Sequence, residues 1–200
     1  MSATTFDPDV FQTSSNIGGV DEVDHSTLSS SATTPVNYGK YDLKIDFEKK
    51  KIYGTVEYRV IVTPSTETTE LVLDSNHLEI SSVTYYVKSN KPEWSTSNDP
   101  GSACTWTLDA VNGSLGSALR VELPPFSQEK IDQGLALWVK VVYSTTSKSG
   151  ALQWLPPEQT AGKQYPFCFT QCQAIHARSL IPCQDTPRIK IPYSARVRVV

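Results

Sequence analysis

The 200-residue chain has no long apolar run, no extended block of basic residues, three histidines and a single methionine. Its longest apolar stretch, Leu135 to Tyr143, is interrupted by Lys140 and is far too short to span a bilayer. Lys and Arg number 18 against 21 Asp and Glu, a formal charge of -3, and beyond the short turn E-K-K-K no basic patch stands out. A nucleic-acid surface needs clustered cations to offset phosphates, and a lipid surface needs a polybasic segment. Neither nucleic acid nor membrane is therefore an expected partner. The opening M-S-A-T-T-F-D-P-D-V-F lacks both a positive start and an apolar centre, so it is not a secretory signal. A soluble, cytoplasmic protein is expected.

Reaction centres are missing too. The chain has no His-Glu-x-x-His, no Gly-x-Ser-x-Gly, no phosphate-binding Gly-x-x-x-x-Gly-Lys-Ser/Thr and no dinucleotide Gly-x-Gly-x-x-Gly. The histidines stand at 25, 77 and 176, too scattered for an all-histidine zinc site. The four cysteines, at 104, 168, 172 and 183, are expected as free thiols of a reducing compartment. Asn112-Gly113-Ser114 fits the glycosylation pattern, and in a cytosolic chain the same Asn-Gly reads as a turn.

What is present is alternation. Residues 1–35 are rich in Ser, Thr and Asp, include S-T-L-S-S-S-A-T-T-P, and show no period. They bury too little apolar surface to offset chain entropy and read as a disordered tail, in which His25 does nothing chemical. From Val36 the period is two. Tyr41, Leu43, Ile45 and Phe47 alternate before the E-K-K-K turn, and Val56, Tyr58, Val60 and Val62 alternate after it, which predicts a hairpin. Further strands are predicted at Glu70–Asp74, Ile80–Lys88, Thr105–Leu108, Ala118–Leu123, Leu135–Tyr143 and from Ile189 to the end. With 13 prolines and no helical stripe, residues 36–200 read as an all-β domain. The last strand reaches Val200 with no turn or cap, so the domain is expected to be truncated there, its chain continuing further.

The densest cluster of polar chemistry is Gln164–Pro187, Q-Y-P-F-C-F-T-Q-C-Q-A-I-H-A-R-S-L-I-P-C-Q-D-T-P. Neutral amides set among Phe, Ile, Leu and Pro suggest groups held beside a ligand. Two sharper readings stay open. Cys168, Cys172, His176 and Cys183 have the spacing C-x3-C-x3-H-x6-C, which suits either a structural zinc module or a buried, non-liganding face. Cys172 with His176 could form a nucleophile pair, given a depressed thiol pKa and an oxyanion hole. Arg178 and Asp185 are expected to pair and lock the loop, with Pro182 and Pro187 fixing its turns. His176 is expected to donate to a backbone carbonyl, and Trp154 to lie in the core.

The motifs S-G-A-L-Q-W-L, Q-C-Q-A-I-H-A-R and P-C-Q-D-T-P, in this order within Thr146–Pro187, strongly resemble the leukotriene A4 hydrolase and fungal leucine aminopeptidase branch of the M1 zinc aminopeptidases. A weaker likeness covers Tyr38–Val200, including L-V-L-D at 71–74, and leaves out the N-terminal tail. The resemblance implies a saddle-shaped, mixed and antiparallel β-domain that precedes a thermolysin-like catalytic domain. It implies an M1 zinc metallo-aminopeptidase as the full-length parent, with epoxide hydrolysis as a further capability. In that family a Thr-Gln-x-Glu motif sets its glutamate against the substrate's α-amine. Here Thr170-Gln171-Cys172-Gln173 carries glutamine instead, as the hydrolase branch does. The resemblance thus implies that Gln173 accepts a hydrogen bond from the peptide N-terminus, that Gln171 contacts substrate or orients Gln173, and that Ala174 offers backbone polar groups. It assigns no catalytic residue and no metal ligand here. Zinc would belong to the missing catalytic domain of the same chain, and the fragment alone would be inactive. A different reading is a free-standing β-rich module that binds a partner along a sheet edge.

Overall fold

Alternation at a period of two turns one face of each strand inward, and that pattern builds most of this molecule. The structure, a computed structural model, describes residues 23–65, 67, 69–89 and 101–200. Strands β1 (Val36–Asp46), β2 (Lys51–Val60), β3 (Thr69–Ser75), β4 (Leu78–Ser89), β5 (Ser102–Ala103), β6 (Trp106–Leu108) and β7 (Ser117–Leu123) come first. The short helix α1 (Gln128–Asp132) follows, then β8 (Leu135–Thr145), β9 (Leu152–Leu155), β10 (Phe167–Thr170) and β11 (Tyr193–Val199).

The strands form three sheets. The largest has the order β11-β1-β2-β8-β4-β5, the second β3-β7-β6, and the third is the β9-β10 hairpin. Among the described residues only β11 runs parallel to its neighbour, with Tyr41 opposite Ala195, and the other pairs are antiparallel. The fold is all-β but for short helical turns, as the alternation predicts, and mixed in the large sheet, as the resemblance implies.

The main core lies where the large sheet and the three-stranded sheet face each other. Val56, Tyr58, Leu137, Val139 and Val141 from the first meet Leu71, Leu73, Leu119, Val121 and Leu123 from the second, all buried. Each such side chain contributes about 1.5–3 kcal/mol when taken out of water. Gly54 of β2 lies opposite Tyr143 of β8, and a Cβ there would sit 2.3 Å from the tyrosine ring. Because that ring is buried and cannot swing away, Gly54→Ala is expected to cost about 1–3 kcal/mol in urea unfolding.

Three local readings need correction. The expected disordered tail, 1–35, does not hold for its last part: residues 23–35 pack on the domain, while 1–22 lie outside the described residues. Ser30 N donates to Val72 O at 3.2 Å, Val72 N donates to Ser30 Oγ at 2.8 Å, and Thr34 Oγ1 donates to Glu70 O at 2.8 Å. The segment is held by its hydroxyls and backbone rather than by apolar burial, which is why composition hides it. The β9-β10 hairpin carries no clean alternation and was not among the predicted strands. Ile189 belongs to a turn, its N–H bonded to Thr186 O at 3.1 Å, so the last strand starts later than its pattern.

Candidate functional site

The segment between β9 and β11 forms a frame with an exposed tip. Its foundation is Arg178, 0% exposed, in the turn Ala177–Ser179. Nε donates to Asp185 Oδ2 at 3.0 Å, and the Arg178 backbone N–H reaches the same oxygen at 3.1 Å. Nη1 donates to Leu115 O at 2.9 Å and lies 3.6 Å from Asp74 Oδ1. Nη2 donates to Ser26 O and to Asp185 O, both at 2.7 Å. The planar fork of donors is thus distributed over four separate parts of the chain, which a lysine ammonium could not do. The expected Arg178–Asp185 pair is present. Its second carboxylate, Asp74 at 0% exposed, was not foreseen.

Asp74 is itself satisfied from three directions. Leu28 N donates to Oδ1 at 2.7 Å, Asp185 N donates to Oδ2 at 2.9 Å, and the Thr27 hydroxyl donates to Oδ2. The rest of P-C-Q-D-T-P is stitched down residue by residue. Pro182 O accepts from Tyr58 Oη at 2.7 Å, and Cys183 exchanges backbone bonds with Asp74. Gln184 donates to Thr34 O at 2.9 Å and accepts from Val36 N at 3.0 Å. Thr186 Oγ1 donates to Asp24 Oδ2 at 2.5 Å. That motif is structural support.

Asp24 also accepts from Ser26 Oγ at 2.6 Å and Ser26 N at 3.0 Å. The Ser26 hydroxyl first, and Thr186 second, hold its carboxyl below the ordinary aspartate range. A depressed folded pKa means the stabilisation is complete above the unfolded value and disappears as pH falls through the folded one. Thermal unfolding followed from about pH 5 down to about pH 2 is expected to show this loss, and Asp24→Asn to flatten that part of the curve.

The tip is the loop from Thr170 to His176. Gln171 N donates to Ala151 O at 2.9 Å, and Gln173 N donates to Gln171 Oε1 at 3.1 Å. His176 N closes the loop onto Cys172 O at 2.9 Å. Below it, Ser179 Oγ donates to His176 O at 2.8 Å and accepts from Ala151 N at 3.0 Å. The Ser149 hydroxyl donates to Ser179 O. Gln171, Gln173 and Ala174 are all exposed, with the Gln173–Ala174 peptide bond cis. The three residues singled out in the sequence therefore stand together, with Gln171 Oε1 bonded to the Gln173 N–H. Beside them Tyr165, Phe167 and Phe169 are exposed, and Tyr165 and Phe167 line an open groove of about 400 Å³ with Leu155, Pro166 and Ala161.

The sharper readings do not form. Among the described residues no three His, Cys, Asp or Glu side chains converge as a metal would need, so Cys168, Cys172, His176 and Cys183 make no zinc site. Burial pushes the Cys168, Cys172 and Cys183 thiols above their ordinary value, and the Asp185 carboxylate pushes the last two further. A nucleophile needs the opposite shift. All four cysteines are free. Residue His176 is exposed, and no hydrogen bond is seen from its ring to the described residues; it is bonded through its backbone, the N–H donating to Cys172 O and the carbonyl accepting from Ser179. Trp154 is half-buried, edge-on to Phe47 at 5.5 Å, and not in the core.

The chain is similar in sequence and fold to known proteins. Leucine aminopeptidase 2 of Sclerotinia sclerotiorum is 35% identical over 175 residues, 88% of this chain and 26% of that protein. Leucine aminopeptidase 2 of Yarrowia lipolytica is 38% identical over 176 residues, 88% of this chain and 24% of that protein. The solved structure of native yeast LTA4 hydrolase superposes with a TM-score of 0.73 at 30% identity, covering 90% of this chain and 25% of that one. The chain thus spans about a quarter of the length of the relatives it matches. A family model described as the Peptidase M1 N-terminal domain matches residues 34–200. By that match over most of its length, and by the shared fold, the chain belongs to the Peptidase M1 N-terminal domain family.

Proposed function

We propose that this domain forms one wall of the substrate cleft in a zinc aminopeptidase of leukotriene A4 hydrolase type and receives the amino end of the peptide. The observation that carries this reading is the exposed amide tip, Gln171, Gln173 and Ala174, seated on a frame whose guanidinium is wholly buried. A recognition group must be held still to be selective, and here the holding is done by Arg178, Asp74 and Asp185. Gln173 Oε1 would accept from the ammonium, and Gln171, already bonded to the Gln173 N–H, would orient it.

The residues described here do not fit a zinc ion, so its ligands would lie in the neighbouring catalytic domain, and no step of hydrolysis is assigned to this chain alone. The exposed Tyr165, Phe167 and Phe169 suit a surface covered by that domain. A neutral amide at position 173 repels an acidic substrate less than a carboxylate does, so an acidic epoxide would be tolerated in the same cleft. The Gln173→Glu exchange in the full-length enzyme, assayed on free and N-blocked peptides, tests the reading.

A further inference from the structure

The strap 24–28 ends on the same two buried groups that hold the recognition loop. Ser26 O takes one of the two bonds from Arg178 Nη2, and Thr27 and Leu28 both donate to Asp74. Without these contacts Nη2 keeps only Asp185 O, and the Asp74 carboxylate keeps only Asp185 N as a hydrogen-bond donor. Arg178 lies in the turn that closes the loop, one residue before Ser179, which bonds both to His176 O and to Ala151 N. Ala151 in turn holds Gln171 through its carbonyl. Hydrogen bonds, linked through the adjoining backbone of Arg178 and Ser179, therefore connect the strap to both ends of the tip. The strap is further held at its entrance by Thr186 Oγ1, which donates to Asp24 Oδ2, while His25 is exposed.

We propose that the strap is a positioning element for the Gln171–Ala174 loop, acting through Arg178 and Asp74. Among the described residues no hydrogen bond joins the strap directly to Gln171–Ala174. The strap's residues supply the side of the guanidinium and carboxylate that the loop's own segment leaves open.

Amide hydrogen exchange in the full chain tests this. Thr27→Val deletes the hydroxyl donor to Asp74 while keeping the side chain's shape. The expected result is exchange about tenfold faster at His176, Ser179 and Leu180, with Val139 and Val141 of β8 unchanged and Thr27→Ser restoring protection. A uniform increase across the domain marks the strap as ordinary stabilisation and overturns the proposal, as does no change at the three loop amides. If Thr27→Val does not fold, Asp24→Ala cuts the strap at its half-buried entrance and is read in the same way. What the loop contacts belongs to the proposed function above. Exchange at these amides does not depend on it, so the two readings fail separately.

Discussion

Arg178→Met is expected to lower the unfolding free energy by about 3–5 kcal/mol, because it leaves Asp74 and Asp185 without their shared cation. The methionine fills much of the volume but donates nothing to Ser26 O, Leu115 O or Asp185 O, each of which loses its bond from the guanidinium. For a domain of this size each kcal/mol moves the melting temperature by roughly 2–4 °C, so a fall of roughly 6–20 °C should be seen by calorimetry. Arg178→Lys is expected to recover little, since an ammonium cannot span acceptors spread around a planar fork. A loss under about 1 kcal/mol for the methionine variant would show that the network is not what holds this segment.

The consequence reaches the tip. Within Gln171–Ala174 only Cys172 is partly buried, and the loop's geometry is tied to Ala151, Ser179 and Arg178. A domain that merely needed a turn here would not require a buried guanidinium with four acceptors. Desolvating such a charge is tolerable only when its donors and charge are met, and here four of the five N–H groups are hydrogen-bonded while Asp74 and Asp185 lie beside the guanidinium.

How much of this was legible depends on what holds each element. The hairpin of β1 and β2 and the long strand β8 are bound by burial on one face, and burial imposes alternation that a reader can see. The strap is bound by Thr27, Ser30 and Thr34 hydroxyls and by backbone groups, and Ser/Thr-rich sequence looks the same whether it is solvated or bonded. Arg178 and Asp185 could be paired on paper because they close one proline-bounded loop. Asp74 could not, because it sits at the end of the apolar run L-V-L-D and is brought to Arg178 only by the packing of the sheets. The β9-β10 hairpin escaped because Trp154 and Cys168, paired across it, belong to no alternating run. For Gln171 and Gln173 the sequence named the residues, and the structure adds that they are exposed, adjacent and framed. What they touch is a property of the cleft, not of the strand pattern.

That contact is the central claim, and Gln173→Glu in the full-length enzyme tests it most directly. Replacing a neutral acceptor with a carboxylate converts an amide–ammonium bond into a charge-paired one, a gain of about 1.5–3 kcal/mol when desolvated. The expected result is a kcat/KM about 10- to 100-fold higher on peptides with a free amino end, and no gain on the same peptides acetylated at that end. Unchanged kcat and KM on free peptides, or an equal gain on the acetylated ones, would place Gln173 away from the amine and contradict the account.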